Sequence, residues 1–177
     1  MQVLFKFLVI FLVSFSVNTI KASEFQEALD TIEKRKTAMQ AIWHRIKRLS
    51  PYVELKETIE YNKDLASEDA QEISALLEAT KDLWSENSNL STKGFTNATP
   101  AVWAIPDYFN KLYLSARMSA NSLKSSINED DIDNTVVAMC NLGKACGTCH
   151  ANFRRLLTSQ LANEVSGWSG QYIKNCN

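Results

Sequence analysis

Beyond the first two dozen residues, apolar side chains return at intervals of three and four, the period of a helix with one buried face. Ile32, Arg35, Met39, Ile42, Ile46 and Leu49 form one such stripe. Ser23, with Gln26 three residues on, has the pattern of a capping box that opens this first helix, and Pro51 predicts its end. A second stripe of Ala70, Ile73, Leu77, Thr80 and Trp84 predicts a helix from about Ser67 to Asn87. Asn89 to Pro100, rich in Asn, Ser and Thr, predicts a loop. A third helix runs from about Val102 or Pro106 to Ile127, with Phe109, Leu112, Ala116, Ala120, Leu123 and Ile127 on one face. The fourth begins near Asp130 and reaches about Gln160, its stripe formed by Ile132, Val136, Cys140, Gly143, Cys146, His150, Phe153 and Leu157. No stretch alternates apolar and polar residues long enough to predict a sheet. Four amphipathic helices with moderate connections predict an all-α fold, an antiparallel four-helix bundle in which cofactor sites form between facing helices.

The N-terminus follows a different pattern. Lys6 precedes an apolar run from Phe7 to Val17, interrupted only by Ser14 and Ser16, and Lys21-Ala22-Ser23 closes it with small residues. That is the layout of a secretory signal peptide over residues 1–22, cut after Ala22 and too short to span a bilayer. The mature domain then occupies residues 23–160, followed by a C-terminal extension over residues 161–177. Removal takes Lys6 and Lys21 with it, leaving 17 basic against 20 acidic side chains in 155 residues. This length fits one domain, and the mild acidic balance gives no support to nucleic-acid binding. No stable membrane association is expected after cleavage.

The chemistry lies in Cys146-Gly147-Thr148-Cys149-His150. C-x-x-C-H is the attachment signal for a c-type haem: two thiols three residues apart can each add to a vinyl group, while the adjacent imidazole reaches the iron. On a helix these three residues share a face. A thioredoxin-like dithiol would sit beside a βαβ pattern, which is missing. A structural zinc site needs four ligands around one ion, and Cys140, Cys146, Cys149 and His150 on one straight helix cannot surround it. The expected cofactor is one covalently attached haem c per chain. Cys140 and Cys176 lie outside the motif and could form a disulfide, remain free thiols, or bridge two chains through Cys176.

Placed on the last helix of an exported four-helix chain, Cys146 to Arg154 (Cys-Gly-Thr-Cys-His-Ala-Asn-Phe-Arg) resembles the cytochrome c′ superfamily, the class II c-type cytochromes. Gly143-Lys144-Ala145, Val102-Trp103 followed by Phe109, and Arg35-x-x-x-Met39 extend the resemblance over about Ala28 to Leu157. It implies thioether positions at Cys146 and Cys149 and a proximal iron ligand at His150. It also implies a basic residue at Arg154 flanking the proximal side, an arginine at Arg35 near the haem propionates, and a distal residue at Met39. A methionine in that place implies six-coordinate, low-spin iron used for electron transfer; an apolar residue there leaves the iron open to small gases.

The residues alone mark the same pair. Arg35 lies on an apolar stripe, where an unpaired charge is costly to bury, so either a propionate partners it or it snorkels from the stripe's edge. Met39 is a flexible side chain that serves equally as packing or as a soft ligand. His44 is a further imidazole on the same helix but lies well around it from Met39. Two functions follow: a periplasmic one-electron carrier serving redox partner proteins, with a homodimer left open, or a five-coordinate protein binding nitric oxide or carbon monoxide. Apart from the haem, nothing in the sequence assembles an acid, a base and a nucleophile, so no enzyme activity is expected.

Overall fold

The computed structural model describes the backbone of residues 2–53 and 62–155 together with Cys176, and the side chains of residues 22–51, 62–155 and 176. The helices are α1 (Gln2–Val53), α2 (Lys63–Ala79), the single turn α3 (Ala101–Ala104), α4 (Pro106–Asn128) and α5 (Ile132–Phe153). The four long ones form the bundle. Each packs antiparallel to its chain neighbour. Arg48 of α1 donates from Nε to Asp69 of α2 at 2.8 Å, and Ser74 of α2 reaches Asn121 of α4 at 2.6 Å. Thr135 of α5 donates to Ser126 Oγ of α4 at 3.1 Å. Ile42, Ile46 and Leu49 meet Ala70, Ile73 and Leu77 in one core, which continues through Phe109, Ala120, Leu123, Met139 and Leu142. Ala70 and Ala120 are fully buried, and such small side chains allow α2 and α4 to approach closely.

Helix ends depart from the periodicity wherever distant groups intervene. Ser23 lies inside α1, which begins at Gln2, so the capping box does not form. Pro51 is likewise inside: near a helix end a proline removes one hydrogen bond and leaves the preceding turn intact, and α1 stops two residues later at Val53. The second helix starts earlier than predicted, with Asn62 accepting the Leu65 N–H at 3.2 Å, and ends at Ala79 instead of Asn87. The carbonyls that a longer helix would use are taken elsewhere. Arg35 Nη1 donates to Leu83 O at 2.8 Å, and Trp103 Nε1 donates to Trp84 O at 3.0 Å and Ser85 O at 3.1 Å. The third predicted helix is broken at Ile105 and restarts at Pro106, a residue suited to a first helical position.

The last helix begins at Ile132 rather than near Asp130, because Asp131 caps it and Asp130 takes a left-handed φ of 57° in the turn. It ends at Phe153, not Gln160. Arg154 is extended, Thr99 N–H bonds Phe153 O at 2.9 Å, and Arg155 N–H bonds Asn97 O at 2.7 Å, so the 89–100 loop closes this end. Leu157 and the extension up to residue 175 lie outside the described residues. The buried face is also rotated from the predicted stripe: Thr135, Ala138, Met139, Leu142, Ala145 and Phe153 are buried, whereas Ile132 is 41% exposed. Val136, Cys140, Gly143, Cys146 and His150 are half-buried. One sector of α5 packs on α4, and the sector beside it turns toward α1. Cys140 and Cys176 are joined as a disulfide, with Cα atoms 5.4 Å apart.

Candidate functional site

α1 and α5 barely touch, and the seam between them opens into a cleft of about 210 Å³. Its walls are largely apolar. α1 contributes Ile32, Met39 and Trp43; α4 contributes Phe109 and Tyr113; α5 contributes Cys149, His150 and Phe153. The connection between α2 and α4 closes one side with Trp84, Val102 and the Thr96–Ala98 segment. Phe109 stands 4.8 Å from Trp84 and 5.3 Å from Phe153, ring to ring, giving the cleft a firm aromatic floor.

Five of the six residues expected at the site line this cleft: Arg35, Met39, Cys149, His150 and Arg154. Cys146 is not among the lining residues; it packs, half-buried, against the core one turn before Cys149. His44 is exposed and lies outside the cleft. Cys146 and Cys149 are free thiols. Burial pushes Cys146 up to about 12 and Cys149 up to about 11, so both stay un-ionised at neutral pH. Burial, together with the Arg154 cation, pushes His150 down to about 4, which keeps the imidazole neutral as a metal ligand requires.

Arg35 does not snorkel. It is 3% exposed, and Nη1 donates to both Leu83 O and Ser88 Oγ at 2.8 Å. Its guanidinium lies 4.6 Å above the Trp84 ring centre. Burial lowers its pKa to about 10, still well above neutrality, so the cation persists. Nη2 is buried without a partner, a costly state in a cleft whose lining contains three cationic side chains and no carboxylate. The residues therefore fit a large planar apolar group with an anionic edge, next to two thiols and a neutral imidazole.

The sequence does not single out Tyr113, Trp43 or the Thr96–Ala98 segment. Tyr113 could have been found four residues after Phe109 on the same face, where the predicted stripe carried Leu112 instead. Its hydroxyl donates to Leu77 O at 2.9 Å and lies 2.6 Å from Thr80 Oγ1, which turns the ring's apolar body to the cleft. The loop contribution has no local signal.

A helical bundle with C-x-x-C-H near the end of its last helix, opening on such a cleft, defines a bundle-type haem protein of the c class. The family model described as Cytochrome C′ matches residues 30–154, and the chain belongs to that family. A cytochrome c-554 from Cereibacter sphaeroides is 28% identical over 125 residues, covering 70% of this chain and 80% of the relative. Among solved structures, a nitric oxide complex of a variant cytochrome c prime from Alcaligenes xylosoxidans superposes with a TM-score of 0.66 at 18% identity. It covers 73% of this chain and 97% of that one. A reduced variant of cytochrome c prime from the same organism gives 0.63 at 17% identity, covering the same shares. These structures share the bundle. The cofactor of this chain, as of its family, is covalently attached haem c.

Proposed function

We propose that the protein is an exported one-electron carrier that holds its haem through Cys146 and Cys149, with His150 and Met39 as axial ligands. The observation that carries this reading is that Met39 and His150, from helices on opposite sides of the seam, line the same cleft. Bound haem supplies a reversible one-electron change at iron. The chain's residues do the rest. Cys146 and Cys149 would hold the group as thioethers, each thiol adding across a vinyl group with sulfur to one carbon and hydrogen to the other. His150 enters neutral, with no proton to lose. Arg35 Nη2, a buried donor without an acceptor among the described residues, would pair with a propionate, and Arg154 would flank the histidine side. Met39 brings a soft thioether, and methionine–histidine ligation raises the potential. The largely apolar walls would limit the contact of the bound group with water. Redox partner proteins, rather than a substrate, are the reactants.

Voltammetry of the adsorbed holoprotein tests this reading. A reversible one-electron wave is expected, moving to lower potential in Met39→Leu. An unchanged potential in that variant would show that Met39 does not bind iron. The nitric oxide complex recorded for cytochrome c prime supports a second reading, in which Met39 packs over an open iron face and the protein binds nitric oxide or carbon monoxide. Export follows from the signal-like residues 1–22 and from haem ligation outside the cytoplasm. The haem-loaded chain is expected to begin near Ser23 by intact mass, and recovery with Met1 in place would count against cleavage.

A further inference from the structure

Four cysteines compete for partners in this chain, and the fold separates them. Cys140 and Cys176 are paired at a sequence separation of 36, while Cys146 and Cys149 are free. In an unfolded chain the opposite outcome is favoured. Cys140 and Cys146 are six positions apart, and loop-closure scaling favours that contact over the one with Cys176 by roughly 15-fold. A disulfide formed there would remove one of the haem thiols. On intact α5 the same pair is separated by a rise of about 9 Å, beyond the reach of a disulfide, and Cys149 is further still. Cys176 lies within reach, its Cα 5.4 Å away.

We propose that the Cys140–Cys176 disulfide sorts the thiols: formed on the folded α5, it keeps Cys140 occupied whenever that helix opens before haem is attached, and so reserves Cys146 and Cys149 for haem. This rests on the assignment of those two cysteines as the attachment sites. The step is an exchange with a disulfide-bearing thiol oxidant of the exporting compartment. Cys140 and Cys176 give up two protons and two electrons, one sulfur–sulfur bond forms between them, and the oxidant leaves as its dithiol. The half-buried Cys140 then has no thiol left for the same oxidant to join to Cys146 or Cys149.

Peptide mapping by mass spectrometry, with alkylation and no reduction, on the full-length protein exported from a haem-maturing host tests the sorting. The wild type should show Cys140 linked to Cys176 and haem on Cys146 and Cys149. Cys176→Ser should load several-fold less haem and accumulate apoprotein with Cys140 bound to Cys146 or Cys149. Cys140→Ala combined with Cys176→Ser should regain wild-type loading, because the competitor is gone. Alkylated Cys140 and Cys176 in the wild type, full loading of Cys176→Ser, or a double variant as poor as the single one would each overturn the proposal. A wild type with Cys140–Cys176 linked but no haem on Cys146 and Cys149 would remove the attachment assignment and the sorting with it, and the same map tells that failure from the others.

Discussion

Among single side chains, Arg35 braces the cleft wall. It ties α1 to the chain after α2 through Leu83 O and Ser88 Oγ and covers the Trp84 ring. Arg35→Leu keeps much of the volume but leaves the buried Ser88 Oγ and the half-buried Leu83 O without this donor. Hydrogen bonds to charged groups contribute about 1.5–3 kcal/mol, and a desolvated cation–π contact adds up to about 2. Chemical denaturation of the holoprotein should therefore show a loss of about 3 kcal/mol, and Arg35→Lys should recover little because a lysine lacks the forked donors. A loss below about 1 kcal/mol would contradict this role. The unusual charge on a buried stripe was legible in the sequence; its partners were not, since Leu83 and Ser88 lie 48 and 53 residues away. Cys146, Cys149 and His150 stand out in the sequence because the motif is local, three positions on one helical turn.

Helix stripes are read from neighbours in sequence, but helix ends answer to whatever captures their last polar groups. α2 stops where Arg35 and Trp103 take the following carbonyls, and α5 stops where Asn97 and Thr99 pair with its final turn. Both captures come from far along the chain, so no local pattern announced them. The rotated face of α5 has a similar origin: its apolar positions form two adjacent sectors, and only packing shows which one meets α4. The start of α5 is simpler and testable. Asp131 accepts the Asn134 N–H at 3.0 Å and its side-chain amide at 2.6 Å, and these bonds hold its carboxyl below the ordinary aspartate range. A depressed pKa means that the cap stabilises the fold above the unfolded aspartate value and is lost as pH falls through the lower folded one. Thermal midpoints should be lower for Asp131→Ala than for wild type at neutral pH and converge with it in acid. Asp131→Asn should keep the cap at both. A deficit in Asp131→Ala that persists undiminished in acid would contradict this account of the helix start.

In the molecule as a whole, the bundle is tight along α1–α2, α2–α4 and α4–α5 and open at the α1–α5 seam. Amphipathic periodicity predicts that four helices will bury their faces together. It does not reveal which pair will part, because a gap filled by a cofactor leaves the same apolar stripe as a packed contact. The seam brings together Arg35 and Met39 from one helix and, from the end of another, Cys149, His150 and the extended Arg154 that follows it. Everything proposed about function depends on both faces of the iron being occupied there. The absorption spectrum of the purified ferrous holoprotein, recorded before and after adding carbon monoxide, tests this most directly. The account predicts sharp low-spin bands that change little on adding carbon monoxide in the wild type, and a high-spin, carbon monoxide-reactive spectrum in Met39→Leu. A wild-type spectrum already high-spin and shifted at once by carbon monoxide would contradict it.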